Sequence, residues 1–272
     1  MKRLALISIL VLIASHVWGL NLEPLSREFS PDGRGRQQTF QVENTQGEDI
    51  AVRLRMFSRR LETDGSEQRR AIDGEFTVFP QQVVLAPGQR QTIRVQWNGE
   101  QEVDRERAYR LLVEQVPVED RRGDGEEQRQ GLSLSFMYRY VASVYVTPPE
   151  AEADVSLHEY SLGAPGGQSS HGVDAEFPDV IVSSAEDGTI GVRPLTMEFR
   201  NTGTRHMIVD RASVTVDYER EDGTADSLVL DNEELNVLFR RNILAGASVR
   251  QTVTLPADVV EQSLQITYEV RE

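Results

Sequence analysis

Residues Leu132-Ser133-Leu134-Ser135-Phe136-Met137-Tyr138-Arg139-Tyr140 alternate without a break, with five large apolar or aromatic side chains on one parity and two serines, a methionine and an arginine on the other. A period of two belongs to an extended strand with two unlike faces; helix side chains repeat every 3.6 residues and cannot use it. The pattern recurs along the chain. Ile50, Val52, Leu54 and Met56 alternate with Ala51, Arg53 and Arg55, and Ile93, Val95 and Trp97 alternate with Arg94 and Gln96. No window sustains a helical period, so an all-β protein is expected.

In the first half, strands are expected near Leu20 to Phe29, Gln38 to Val42, Ile50 to Phe57, Phe76 to Leu85, Gln91 to Trp97, Ala108 to Val116 and Leu132 to Val146. Between them lie Pro31-Asp32-Gly33, Asn44 to Asp49, Thr63-Asp64-Gly65 and Ala86-Pro87-Gly88, where proline presets φ and glycine accepts a positive one. Seven strands in about 125 residues indicate an immunoglobulin-like sandwich. Val118 to Gly131 is a long, charged connection and is expected to be a mobile loop. Thr147-Pro148-Pro149-Glu150 then ends the last strand, because proline has no N–H to donate. Beyond it, strands are expected near Val155 to Tyr160, Leu195 to Arg200, Met207 to Tyr218, Ser227 to Leu230, Val237 to Leu244, Val249 to Leu255 and Leu264 to Val270, with Gly163 to Asp174 a loop. The expected division is 1–19, 20–148 and 149–272, the last two each a β-sandwich.

Residues 1–19 are a basic start (Lys2, Arg3), an apolar run Leu4 to Ala14 and a small residue, Gly19, at a plausible cut, the plan of a secretory signal peptide. Eleven apolar residues are too few to cross a hydrocarbon layer of roughly 30 Å, and no later stretch is longer, so an exported chain without membrane insertion is expected. Removing them leaves 253 residues, enough for two packed cores without staples, and the chain has no cysteine. Thiol nucleophiles, thiolate metal sites and redox chemistry are thereby excluded.

Residues 20–149 hold 18 arginines and 21 acids, and residues 150–272 hold 9 and 23. Nucleic acid and anionic membranes, which require a net basic face, are poor partners for such a chain. Lys2 is the only lysine, so every permanent side-chain cation beyond the signal is a guanidinium, whose planar fork suits a carboxylate. Catalytic material is scarce. His158, His171 and His206 have no metal-ligand spacing, and His171 reads as a loop histidine with no nucleophile elbow around it. Asp32-Gly33-Arg34-Gly35-Arg36 lacks a P-loop lysine, and nothing forms a calcium-loop pattern. Neither an enzyme nor a cofactor is expected.

The strand from Leu132 runs on to Val146, about 15 residues where five or six are usual. By patterning alone, its five large side chains would fill a sandwich core. A strand that outruns its neighbours can instead present an unpaired edge, which invites another chain to pair with it or leaves self-association open.

At this point the residues carry a family likeness. Phe79-Pro80, Leu85-Ala86-Pro87-Gly88-Gln89, Thr92-Ile93-Arg94-Val95, Tyr109 to Pro117 and the long strand ending Val146-Thr147-Pro148 occur in an order that resembles the PapD-like periplasmic chaperones of chaperone-usher pilus assembly. The likeness covers most of residues 20–148 and is weaker beyond, resting there on Phe199 to His206. Gln115-Val116-Pro117 and the lack of cysteine look most like the archaic branch.

The resemblance implies two immunoglobulin-like sandwiches in an L- or boomerang-shaped arrangement. It also implies a periplasmic protein that caps pilus subunits by donor-strand complementation and delivers them to an outer-membrane usher. Carried onto this chain, the donor side chains are Leu132, Leu134, Phe136 and Tyr138, with Tyr140 a fifth. The family's anchor for the subunit's terminal carboxylate, an arginine on the first strand and a lysine on the long one, falls at Ser26 and Ser143. The remaining candidates are Arg110, Arg27 and Arg139, although Arg94 and Arg110 are equally suited to pair with Glu114 or another acid. From a different class, a structural or adhesive surface protein of tandem sandwiches fits the same strand count.

Overall fold

The computed structural model describes residues 19–117, 137–165, 191–232 and 234–270. Leu132, Leu134 and Phe136, the loop Val118 to Gly131, His171 and the expected signal segment up to residue 18 lie outside the described residues, as does most of the stretch Gly163 to Asp174.

Among the described residues, ten strands build the first unit: β1 (Leu20–Glu23), β2 (Ser26–Phe29), β3 (Gln37–Asn44), β4 (Ile50–Leu61), β5 (Glu67–Ala71), β6 (Phe76–Phe79), β7 (Gln82–Leu85), β8 (Arg90–Trp97), β9 (Arg107–Val116) and β10 (Arg139–Val146). One sheet has the order β1-β3-β8-β6. The other runs β2-β10-β9-β4-β5, with β7 paired to the start of β4. The alternation dictates what lies between them. Leu20, Leu22, Phe40, Val42, Ile93, Val95 and Trp97 from the first sheet meet Ile50, Val52, Leu54, Leu111, Val113, Val144 and Val146 from the second, all at most 2% exposed. Each such side chain contributes about 1.5–3 kcal/mol by leaving water. At the turn before β8, Gly88 takes φ +72°, a conformation that side-chain-bearing residues avoid.

Three stretches expected as single strands are each two, one of them Met207 to Tyr218 in the second unit, which divides into Met207–Ile208 and Ala212–Glu219. The break at Pro24 passes the chain from the first sheet (β1) to the second (β2), and the break at Pro80 does the same between β6 and β7. Proline interrupts the ladder where a strand changes sheet. β5 was not expected at all: Glu67-Gln68-Arg69-Arg70-Ala71 has no apolar alternation and extends the hairpin that turns at Thr63 to Gly65. The long last strand begins at Arg139 within the described residues, with Met137 and Tyr138 outside it.

The second unit contains β11 (Val155–Leu162), β12 (Val192–Asn201), β13 (Met207–Ile208), β14 (Ala212–Glu219), β15 (Ala225–Leu230), β16 (Asn242–Ile243), β17 (Ser248–Pro256) and β18 (Gln265–Val270). The sheets β11-β12-β17 and β15-β14-β18, with the ribbon β13-β16, enclose a core around Leu195, Met197, Phe199, Val214, Val216 and Val249. The strand expected at Val237 to Leu244 is corrected to Asn242–Ile243 alone. Residues 234–241 form turns, in which Leu235 N–H donates to the Asp231 carbonyl and Phe239 N–H to that of Leu235, and Leu235 and Leu238 are both buried. Their spacing of three suits a helical turn, and a period-two reading misses it.

The units meet through β10. Its Tyr145 ring stacks on His206 with centroids 4.0 Å apart and planes at 12°, and its hydroxyl accepts from Asn242 Nδ2 at 2.6 Å and Arg59 Nη1 at 3.2 Å. Buried Glu106 accepts from Thr147 Oγ1 and the His206 backbone N–H, and its Oε1 lies 2.7 Å from His206 Nδ1. Leu61 packs on the second core, and Thr63 offers its carbonyl to Arg250 N–H.

Candidate functional site

β10 lies between β9 and β2, but the two neighbours cover it unequally. β9 runs antiparallel along all of Arg139–Val146, whereas β2 runs parallel along Ser143–Val146 only. Ser143 N–H donates to the Leu25 carbonyl and Thr147 N–H to that of Phe29, so odd-numbered residues turn their backbone groups toward β2. Tyr138, whose carbonyl accepts from Gln115 N–H, shows the even-numbered groups turned toward β9. The backbone of Arg139 and Val141 therefore faces a side on which no described strand lies. Among the described residues this is an open sheet edge four residues long, ending where β2 begins.

Side chains follow the same alternation. Tyr138 and Tyr140 share the inner face with Ala142, Val144 and Val146 and are half-buried against the first core. Of the five donor candidates these two are the ones described, and each already spends some of its surface on its own domain. Gly19 sits against the Tyr138 ring.

On the outer face, the registers set side chains in rows across four strands. Arg53, Glu114 and Arg139 form one row, Arg55, Leu112 and Val141 the next, and Phe57, Arg110, Ser143 and Ser26 the third. Ser26 and Ser143, the two positions where the family's anchor pair falls, are direct partners, and Arg110 is Ser143's partner on the other side. Arg110 supplies the cation those serines lack: its Nη1 donates to Ser143 Oγ.

Arg110 is already engaged. Its Nε donates to Glu67 Oε1 at 3.0 Å and its Nη2 to Glu67 Oε2, a fork-on-fork pairing with both side chains 16% exposed. Glu67 also receives Arg69 Nε at 2.6 Å, and Arg59 Nε lies 2.6 Å away with its N–H not aimed along that line. Burial works to raise the Glu67 pKa, but the bonds from Arg110 and Arg69 and the charge of Arg59 outweigh it and hold the carboxyl at about 2. Glu114 does the same for the first row, gripped by Arg55 at 2.7 Å, Arg53 at 2.9 Å and Arg139 at 3.3 Å. There too burial pushes upward and the arginines prevail, so its pKa is lowered. Six guanidiniums thus share two carboxylates. Between them lies a groove of about 200 Å³ lined by Arg55, Phe57, Arg69, Arg110, Leu112, Arg139 and Val141.

The three anchor candidates are not brought together. Arg110 and Arg139 share the outer face, Arg139 the more exposed. Arg27 shares a parity with buried Phe29, and its Nε donates to the Thr39 carbonyl on β3, across the sandwich edge from the groove. The partner of Arg110 is Glu67 rather than Glu114. Sequence reasoning missed Glu67, Arg59 and Arg69; the polar parity of β4, with Arg53 and Arg55 on it, was the available signal for a basic face. Glu67 had none.

Among the described residues, the all-β protein thus presents a short open edge on β10 beside an arginine-lined groove. Residues 30–151 match the family model described as "Pili and flagellar-assembly chaperone, PapD N-terminal domain". A search of the curated proteins finds no match. Among solved structures, the class 5 fimbriae chaperone CfaA is 14% identical, with 93% of this chain and 100% of that one covered and a TM-score of 0.49. The SafB chaperone, solved with the Salmonella enterica SafA pilin, is similar at 14% identity, 95% and 99% coverage and a TM-score of 0.45. The structure of the Acinetobacter baumannii CsuC-CsuE pre-assembly complex gives 11%, 86%, 90% and 0.44.

Proposed function

We infer that this protein is a periplasmic assembly chaperone that captures pilus subunits by lending them a strand and passes them to an outer-membrane usher. The observation that carries the reading is the open edge at Arg139 to Val141, ending beside the Arg110 groove, within a domain of the PapD type. A partner strand added to that edge must stop where β2 starts. Arginine at that stop calls for a carboxylate, hence for the partner's C-terminus, and a strand that ends there runs parallel to β10. Backbone bonds then supply affinity, and Leu132, Leu134, Phe136, Tyr138 and Tyr140 supply the apolar side chains that fill the subunit. The two separate cores support the division at 148, and the basic and apolar start supports export with cleavage near Gly19.

Co-expression with a pilus subunit tests the reading. A stable, soluble one-to-one complex is expected, and incorporation of this chain into fibres would show a structural surface protein instead. Phe136→Glu and Leu134→Glu are expected to leave the free protein folded and abolish the complex, since an unpaired charge in the subunit groove is costly. If either variant unfolds the free protein, those side chains are core and the donor assignment fails.

A further inference from the structure

Arg110 is the cation best placed at the end of the open edge, yet its fork is filled by a side chain of its own domain. We propose that Glu67 is a resident carboxylate that occupies Arg110 in the free protein and is exchanged for the terminal carboxylate of the captured chain. This deepens the chaperone reading and rests on it.

Three observations carry the exchange. First, the pairing is of the kind a chain terminus would make: two parallel N–H···O bonds from one guanidinium to one carboxylate, with Nη1 still directed at Ser143. An incoming carboxylate at Ser26 and Ser143 approaches Arg110 from its Nη1 side.

Second, Glu67 can leave. It is the first residue of β5, which among the described residues pairs only with β4 at the sheet margin, and the rest of β5 is exposed. The Thr63 to Gly65 turn just before it, with Gly65 at φ +81°, is the natural pivot. Third, Glu67 need not be stranded by leaving Arg110, because Arg59 and Arg69 already hold it. A buried carboxylate without a cation would be costly, and this one keeps two. The neighbouring guanidinium excess likewise leaves a place for a second carboxylate. With the Glu67 carboxyl held at about 2, the contact is charged near neutral pH, where a competing carboxylate opens it and a proton does not.

The test uses the purified full chain and a short strand-forming peptide with a free C-terminal carboxylate, beside its amidated twin. Glu67→Gln is expected to bind the free-carboxylate peptide about tenfold more tightly than the wild type, with no gain for the amide. Arg110→Gln is expected to lose the preference for carboxylate over amide. In the wild type, saturation with the carboxylate peptide is expected to speed hydrogen exchange at Glu62 and Gly65, whose N–H groups close the β4–β5 turn. That measurement decides the matter alone if Glu67→Gln does not fold. Equal carboxylate affinity in wild type and Glu67→Gln, or unchanged exchange at the turn, overturns the proposal. Subunit capture by the wild type is scored separately: capture without carboxylate preference defeats the exchange and leaves the chaperone reading standing, whereas absence of capture defeats the reading itself.

Discussion

Arginine is the residue on which this molecule's chemistry turns, and its partners decide what each arginine can do. Arg53, Arg55 and Arg139 converge on Glu114, while Arg59, Arg69 and Arg110 converge on Glu67. Because the folded-state pKa of Glu67 is lowered from 4.5 to about 2, its stabilising effect is complete above the unfolded value and is lost as pH falls through the folded one. Discounted for partial exposure to solvent, the effect is about 2 kcal/mol. Chemical denaturation of wild type and Glu67→Gln should therefore differ by about that amount at pH 7. The gap should close between pH 4.5 and about 2; a gap that persists to the acid end would mean that Glu67 acts by packing. None of this was legible in the sequence. The abundance of both charge types made any single pairing a guess, and only the register placed Arg110 between Glu67 and Ser143.

At the level of elements, what could be read was whatever repeats with period two. β3, β4, β8 and β12 announce themselves because one face of each is more deeply buried than the other. β5 does not, since it lies at a sheet margin and buries almost nothing. The turns at residues 234–241 bury Leu235 and Leu238 with another period. Sheet switching at Pro24 and Pro80 also escapes a local reading, because proline marks a break without saying which sheet follows. The element of greatest consequence is β10, whose two edges differ. Val141→Pro removes an N–H that points to the open side, so it should leave folding nearly intact while preventing strand addition. Ala142→Pro removes an N–H turned toward β9 and should cost about 3 kcal/mol or more. Thermal melting and a subunit pull-down on both variants check this. If Val141→Pro melts as low as Ala142→Pro, the assignment of the open edge is wrong.

For the whole molecule, the joint between the two sandwiches rests on Tyr145. One side chain stacks on His206, accepts from Asn242 across the joint, and accepts from Arg59, which in turn touches Glu67. The arginine cluster around Glu67 and the domain interface are thus physically continuous. Tyr145→Ala should cost about 3–5 kcal/mol, separate the melting of the two units and raise the radius of gyration in solution scattering. Arg205→Ala, which removes an exposed pair with Glu28 at the rim of the same joint, should change stability by less than about 1 kcal/mol. Equal effects from the two substitutions would place the joint's strength elsewhere.

The sequence by itself determined that the chain is all-β, that it holds enough alternating strands for two sandwiches, and that its cations beyond Lys2 are arginines. These follow from periodicity and composition, which are local and survive without a fold. Tertiary structure alone decided which stretch of β10 is left unpaired, which arginine stands opposite Ser143, and which acid already holds it. Those facts depend on strand order and register, which bring together residues such as Glu67, Arg110 and Ser143 that no local pattern connects.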